Sequence, residues 1–447
     1  MNQFIKVLFV LYCFVGISGC EGFLDEKPSK SLVVPDTLED IQALLDGDAL
    51  MNIDAFTLFL QSDDFELEAP GVAQLIDWQR NAVFWKGEID SPTGVTAEYF
   101  NIYRKIFVAH FAIEELEKFS TGKSQIKDDL MGQALFYRAY GYFTLAQLFM
   151  PDYSKGKDMD VGILPLRSVS QLDVAVPLAA VSQIYSEIVK NLEQALTLLP
   201  DKAKYQTRPS KVATHGLLSR VNLAMGDYDK ALVNALAALN IQSELMDYNS
   251  IDPVNTYPIP FLNEEIVFNG IQSAYSFSFS TNLLVNSEIY QSYDSMDLRK
   301  VLYFTINRDG LPNFTGSYNG NFELFSGIAV DELILTAAEC LVRAGEVQKG
   351  MEYLNRLLET RWVTGSFVPF ETSSSQEALE IILFERRKSL LFRSTRWLDL
   401  RRLSNEPSFH KPMAREAGGF SGKLDLSQTA YALKIPAREL DFEGAGQ

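Results

Sequence analysis

Adjacent acid pairs such as Asp63-Asp64, Glu114-Glu115 and Glu264-Glu265 are residues of the kind that could hydrolyse a glycoside. That reaction needs two carboxyl groups about 5 to 10 Å apart across a cleft. Acidic pairs are expected by chance, however, where 58 of 447 residues are Asp or Glu. The sequence contains no Gly-x-Ser-x-Gly elbow, no His-Glu-x-x-His pair and no phosphate-cradling glycine loop. Its three scattered histidines make no convincing metal site. These residues point away from catalysis, metals and cofactors.

Cys20 offers a different chemistry. Lys6 and the eleven apolar residues Val7 to Ile17 form a signal too short to span a bilayer, which takes about 20 residues. The run ends in Ile17-Ser18-Gly19-Cys20, similar to the bacterial lipobox, in which the cysteine is lipidated and becomes N-terminal. The alternative is an ordinary signal peptide that ends near a cysteine. Cys13 would leave with the signal, and Cys340 falls on the apolar face of a predicted helix. No pair is left for a structural disulfide, although export implies an oxidising compartment. No other stretch approaches transmembrane length, so the expectation is a soluble, tethered protein. Forty basic residues against the acids leave a formal charge of -18, which argues against nucleic acid as a partner.

Ring stacking is the third chemistry on offer. A sugar presents an apolar C–H face to an aromatic plane, while hydrogen bonds around it fix orientation. Trp78 and Trp85 lie in a mixed acidic and aromatic stretch, residues 48 to 98, read as loops and short helices. Tyr275, Tyr293 and Tyr318 lie in residues 241 to 328, which are rich in Ser, Asn, Gly, Tyr and Phe and mostly lack helical period. These five are the ligand-binding candidates; the competing role for such rings is to fill the layer between insertion and scaffold. Within the insertion, Glu265 to Ile271 reads as a strand. Tyr275, Phe277 and Phe279 alternate with serines as a half-exposed strand would.

Such residues need a rigid base, and the sequence supplies one. Ala213, Leu217, Val221 and Ala224 recur at helical spacing after a Ser210 cap, and Gly226 ends that helix. Asp227 caps the next, where Ala231, Ala235 and Ala238 form a small-residue stripe, as in tetratricopeptide-type hairpins. Residues 329 to 360 repeat the plan around Gly345. The separation of the two turns far exceeds the roughly 34-residue period of a continuous array, which predicts a helical scaffold with a large insertion. Further helices are expected at 37 to 45, 99 to 119, 134 to 149 and 184 to 199. His110 is expected to be packed and hydrogen-bonded. In residues 378 to 403, Asp399 can pair with Arg396 or Arg402 at three-residue spacing, so the basic run reads as an internal ion-pair network.

Taken together, these stretches resemble the SusD/RagB-like surface lipoproteins of bacterial glycan and peptide uptake. The resemblance runs from Cys20-Glu21-Gly22-Phe23-Leu24-Asp25 through Tyr137-Arg138-Ala139-Tyr140 and the Gly226 hairpin to Tyr293–Phe304, Asp331–Glu346 and Glu385–Arg402. It closes with Leu433-Lys434-Ile435-Pro436 and Glu439. The chain departs from the family at Ser389-Leu390 and Arg393-Ser394, where Glu-Leu and Glu-Gly are usual, and at His110, where asparagine is usual. The resemblance implies a mainly α, tetratricopeptide-like hairpin scaffold with a large irregular, partly β insertion. It also implies a non-enzymatic outer-membrane lipoprotein, lipidated at Cys20 and facing the exterior. Such a protein would bind oligosaccharides or peptides and pass them to a SusC-like TonB-dependent outer-membrane transporter. The expected layout is signal 1–19, tether 20–36, scaffold 37–240, insertion 241–328 and scaffold 329–447. The rival is a structural or adaptor lipoprotein of the envelope without a small ligand, which would not need the insertion.

Overall fold

Helix pairs joined by glycine turns set the architecture. The computed structural model describes residues 35–86, 95–119, 124–171, 174, 176–429 and 431–435. Cys20 and its lipobox therefore lie outside the described residues, as do Pro436 and Glu439. Leu38–Gln447 forms one compact unit.

The scaffold begins with α1 (Leu38–Leu45), α2 (Val95–Lys118), α3 (Gln125–Phe149) and α4 (Val181–Leu198). It continues with α5 (Lys211–Met225), α6 (Tyr228–Ile241), α7 (Val330–Arg343), α8 (Val347–Glu359), α9 (Ser375–Ser389) and α10 (Thr395–Arg402). Ser210 caps α5 by accepting from the Ala213 amide at 3.3 Å, and Asp227 caps α6 from the Lys230 amide at 3.2 Å. Gly226 and Gly345 take φ of +76° and +87°, the left-handed turn that a Cβ would oppose. Ala231, Ala235 and Ala238 are fully buried, so neighbouring helices can approach closely. Helices α2 to α8 then pack each against the next, with α6 directly on α7. The two hairpins that the sequence separates by a long insertion are thus neighbours in space. Helix α3 is buried along most of its length and forms the centre of the core. It starts nine residues before the predicted Ala134, because its first turns are polar and carry no apolar period.

Residues 241 to 328 fold as short ladders on this base. Ile266–Phe268 pairs antiparallel with Ile328–Ala329, and Phe304–Ile306 with Pro312–Phe314. Two ladders reach the N-terminal region: Ile53–Asp54 runs parallel to Ile271–Gln272, and Phe65–Glu66 antiparallel to Leu284–Val285. The expected strand at Tyr275–Phe279 is instead a 3-10 turn over Ser276–Phe279. Side-chain alternation survives the change: Phe277 is buried and Phe279 exposed.

Two buried polar networks fasten the insertion to the scaffold. Arg299 donates to Asp297 (2.7 Å), Glu385 (2.6 Å) and the Ser389 hydroxyl (2.9 Å), all out of water. In the second network, Arg361 grips both oxygens of Glu265 (2.7 and 2.8 Å). The Tyr248 hydroxyl meets those of Tyr303 and Tyr318, and Arg393 reaches Asp331 at 2.9 Å.

The 378–403 stretch is two helices, not one. Phe392 and Ser394 both take φ of +64° at the break. A non-glycine residue in that region costs roughly 1–2 kcal/mol, and the Ser394 hydroxyl has no hydrogen-bond partner among the described residues. Ser394→Gly, which restores the residue usual in the resembled family, should therefore raise stability by about 0.5–1 kcal/mol after the added chain entropy is counted. A urea midpoint at or below that of the parent would show that the serine is not strained.

Candidate functional site

Tyr275, the turn after it, and the residues it leans on form an aromatic cluster that reaches the surface of the insertion. Tyr275 is half-buried, its ring edge-on to Trp78 at 5.2 Å and 5.6 Å from Phe56. Its hydroxyl bonds the Glu98 carboxylate. Glu98 also accepts from the Phe56 amide (2.9 Å), the Thr57 amide (3.1 Å) and the Thr57 hydroxyl. Burial pushes its carboxyl up to about 7 despite those bonds, because desolvation outweighs them.

Beyond Tyr275, the Ser276–Phe279 turn delivers Phe279 to the surface at 54% exposure. Phe322, 44% exposed, meets it edge-to-face with ring centres 5.2 Å apart. Polar groups surround the pair. The Ser280 hydroxyl donates to Gln74, while Asn313 donates to the Thr281 and Leu283 carbonyls at 3.0 and 2.8 Å. Two open rings beside amides and hydroxyls make a surface suited to sugar C–H faces. Phe279 and Phe322 were not among the five candidates. Phe279 could have been found as the outward member of its alternation; Phe322 carries no periodic signal.

The other four candidates are covered. Trp78 is 1% exposed. Trp85 sits at φ +52° and donates to the Gln61 carbonyl at 2.9 Å, with the Arg415 guanidinium 5.0 Å over its ring. Tyr293 donates to the Lys388 carbonyl at 2.8 Å beneath Arg299 and Lys388. Tyr318 is fully buried, bonded to Glu265 (3.0 Å) and Asp331 (3.2 Å), with Arg393 3.8 Å above its ring. Trp78, Tyr293 and Tyr318 fill the layer between insertion and scaffold, Trp85 packs under Arg415, and none of the four presents an open face. The structure brings Trp78 to Tyr275 and leaves Trp85, Tyr293 and Tyr318 in separate clusters.

The groups that could have done chemistry are largely tied up in structure. Asp63 accepts from Arg396 (2.6 Å) and Asp64 from Arg387 (3.2 Å), Glu115 pairs with Lys118, and Glu265 with Arg361. His110 faces Arg138 at 3.3 Å; burial, with Arg138 adding to it, lowers its pKa to about 4, so the ring is neutral. Burial pushes the Cys340 thiol up to about 12. Among the described residues, no group of three or more His, Cys, Asp or Glu side chains could hold a metal ion. No helix among them is long and apolar enough to cross a membrane.

Comparison with known proteins places this architecture. A family model described as "Starch-binding associating with outer membrane" matches residues 22–223, and the model of the SusD family matches residues 331–434. A curated relative, SusD-like protein P2 of Formosa agariphila, is 24% identical and aligned over 97% of each chain. A solved SusD superfamily protein from Bacteroides fragilis shares 19% identity at TM-score 0.74, covering 92% of this chain and 99% of that one. A SusD-like carbohydrate binding protein from Bacteroides vulgatus shares 17% identity at TM-score 0.69, with 91% and 97% covered. A laminarin-binding SusD-like protein shares 17% at TM-score 0.59, with 84% and 95% covered. At such identities the solved structures speak for the fold. Two family models lying in order on either side of the insertion, with a relative spanning nearly the whole length, decide the matter: the chain belongs to the SusD/RagB-like family.

Proposed function

We propose that this protein is a non-enzymatic, lipid-anchored receptor of the outer membrane that captures oligosaccharides outside the cell and hands them to a TonB-dependent transporter. The observation that carries the proposal is the exposed Phe279–Phe322 pair, held beside Tyr275 on an insertion that buried ion networks keep rigid. A rigid open ring pair offers stacking without the ordering cost that a mobile loop would add. The family's description as starch-binding, and a solved relative that binds laminarin, support a glycan over a peptide. Residues 241–328 act as the binding module and the flanking helices as its base.

Import of the glycan requires a pore, and no helix among the described residues is long and apolar enough to cross a membrane. The partner must supply one. Lipid at Cys20 would hold the receptor in the plane of that partner and raise their effective concentration. Cys20→Ala should accordingly move the protein from the membrane to the soluble fraction while its melting curve stays unchanged; membrane retention of the variant would refute the anchor. Pull-down of the tagged, lipidated protein in mild detergent, from cells grown on the glycan, should recover a large β-barrel protein. Recovery of the lipoprotein alone would remove the delivery step and favour a free-standing binder.

A further inference from the structure

A cavity of about 270 Å³ opens between the first turns of α2 and the segment 47–55. It is separate from the exposed phenylalanine pair, and Glu98, which bonds Tyr275, forms part of its wall. Its volume is near the lower end of the roughly 300–1,000 Å³ found for small-molecule pockets, so it takes a single ring and not a chain. Leu50, Ile53 and Ile102 make an apolar wall.

The polar groups of the lining divide into committed and free. Asp54 is committed: it accepts from the Tyr140 hydroxyl (2.9 Å), the Thr144 hydroxyl (3.0 Å) and the Ala55 amide (2.9 Å). The buried Lys105 ammonium, 2.6 Å from the Ile53 carbonyl, offsets its charge. Glu98 is committed as well, with donors on both of its oxygens. Ser273 spends its hydroxyl proton on the Asp54 carbonyl at 3.0 Å.

Arg104 and Asn101 remain. Among the described residues neither side chain has a hydrogen-bond or ion-pair partner, and the Arg104 guanidinium lies over the Phe100 ring at 5.8 Å from its centroid. Both line the cavity, and at three-residue spacing on α2 they stand about one helical turn apart on one face, so both can address one group. A guanidinium fork matches a carboxylate, and an amide N–H₂ can add a further donor to it. The apolar wall then suits the C–H face of the ring that bears the carboxylate.

We propose that this cavity is a subsite for one carboxylate-bearing sugar ring, a uronate, with Arg104 and Asn101 holding its carboxylate. The ligand class rests on the glycan-capture reading; the geometry of the free donors does not.

The test titrates the mature chain with sodium glucuronate, its methyl ester and glucose, followed by NMR at low salt. Glucuronate should bind, and the ester and glucose should bind about tenfold or more weakly, as expected when a charge-assisted hydrogen bond is lost. Arg104 is exposed, so Arg104→Gln should fold normally and lose that preference. The near-isosteric Asn101→Asp should repel glucuronate and leave glucose unaffected. Equal binding of glucuronate and its ester, no binding of glucuronate, or an unchanged affinity in Arg104→Gln would overturn the subsite. The two readings separate cleanly. Oligosaccharide binding that depends on Phe279 and Phe322, without a response to Arg104→Gln on glucuronate, overturns this subsite alone. Arg104-dependent glucuronate binding without oligosaccharide capture supports the subsite and overturns the capture reading.

Discussion

Arg299→Ala should lower the unfolding free energy by about 3–5 kcal/mol, the usual cost of removing one partner from a buried ion pair. Arg299 is fully buried and joins Asp297 of the insertion to Glu385 and Ser389 on α9. Its loss strands Asp297 and Glu385 close together, with Lys388 alone to serve both at 3.4 and 2.9 Å. Arg299→Lys should recover little, because one ammonium cannot reproduce the fork that reaches three partners. Urea unfolding measures the effect. A change under about 1 kcal/mol would place the site among exposed ion pairs, contrary to its burial.

Asp399→Ala should cost about 3 kcal/mol by the same mechanism, and leave glycan affinity unaltered in the protein that remains folded. Asp399 accepts from Arg386 at 3.0 Å and Arg402 at 2.8 Å; Arg402 keeps Glu339 at 2.6 and 2.7 Å, which limits the loss. Burial alone would raise the Asp399 carboxyl, but Arg386 and Arg402 outweigh it and hold the group below the usual aspartate range. A depressed carboxylate contributes stability above its unfolded pKa and loses it as pH falls through the folded one. The gap between parent and variant should therefore be full at pH 7 and close in acid below about pH 4. A gap that widened in acid, or a selective loss of ligand with an unchanged melting curve, would contradict the structural role.

The scaffold was legible because its signals are local. Helical spacing, the caps at Ser210 and Asp227 and the glycine turns all act within a few residues, and each appears where the sequence puts it. The ion network in the last quarter was legible in kind and in one of its pairs: Asp399 does hold Arg402 at 2.8 Å, whereas Arg396 reaches Asp63 at 2.6 Å, a partner 333 positions away, and Arg386 takes its place at Asp399. Spacing along one helix cannot reveal a partner brought by another element. The candidate site was the least legible part. Aromatic type alone does not separate a ring that stacks a ligand from one that seals an interface, and Tyr293 and Tyr318 seal because arginines cover them. Phe279 and Phe322 are open only because a 3-10 turn and a glycine-rich loop meet at the surface, a meeting that neither segment encodes by itself.

Capture of a glycan by the exposed rings is the centre of this account, and calorimetric titration of the parent and of Phe279→Ala/Phe322→Ala with a panel of oligosaccharides tests it most directly. A true stacking platform costs roughly 2 kcal/mol or more when truncated, so the double variant should bind the preferred oligosaccharide about thirtyfold or more weakly. Both rings are largely exposed, and its melting curve should match that of the parent. Equal affinity of parent and double variant for a glycan that binds would contradict the placement of the site, and no binding across the panel would contradict glycan capture itself.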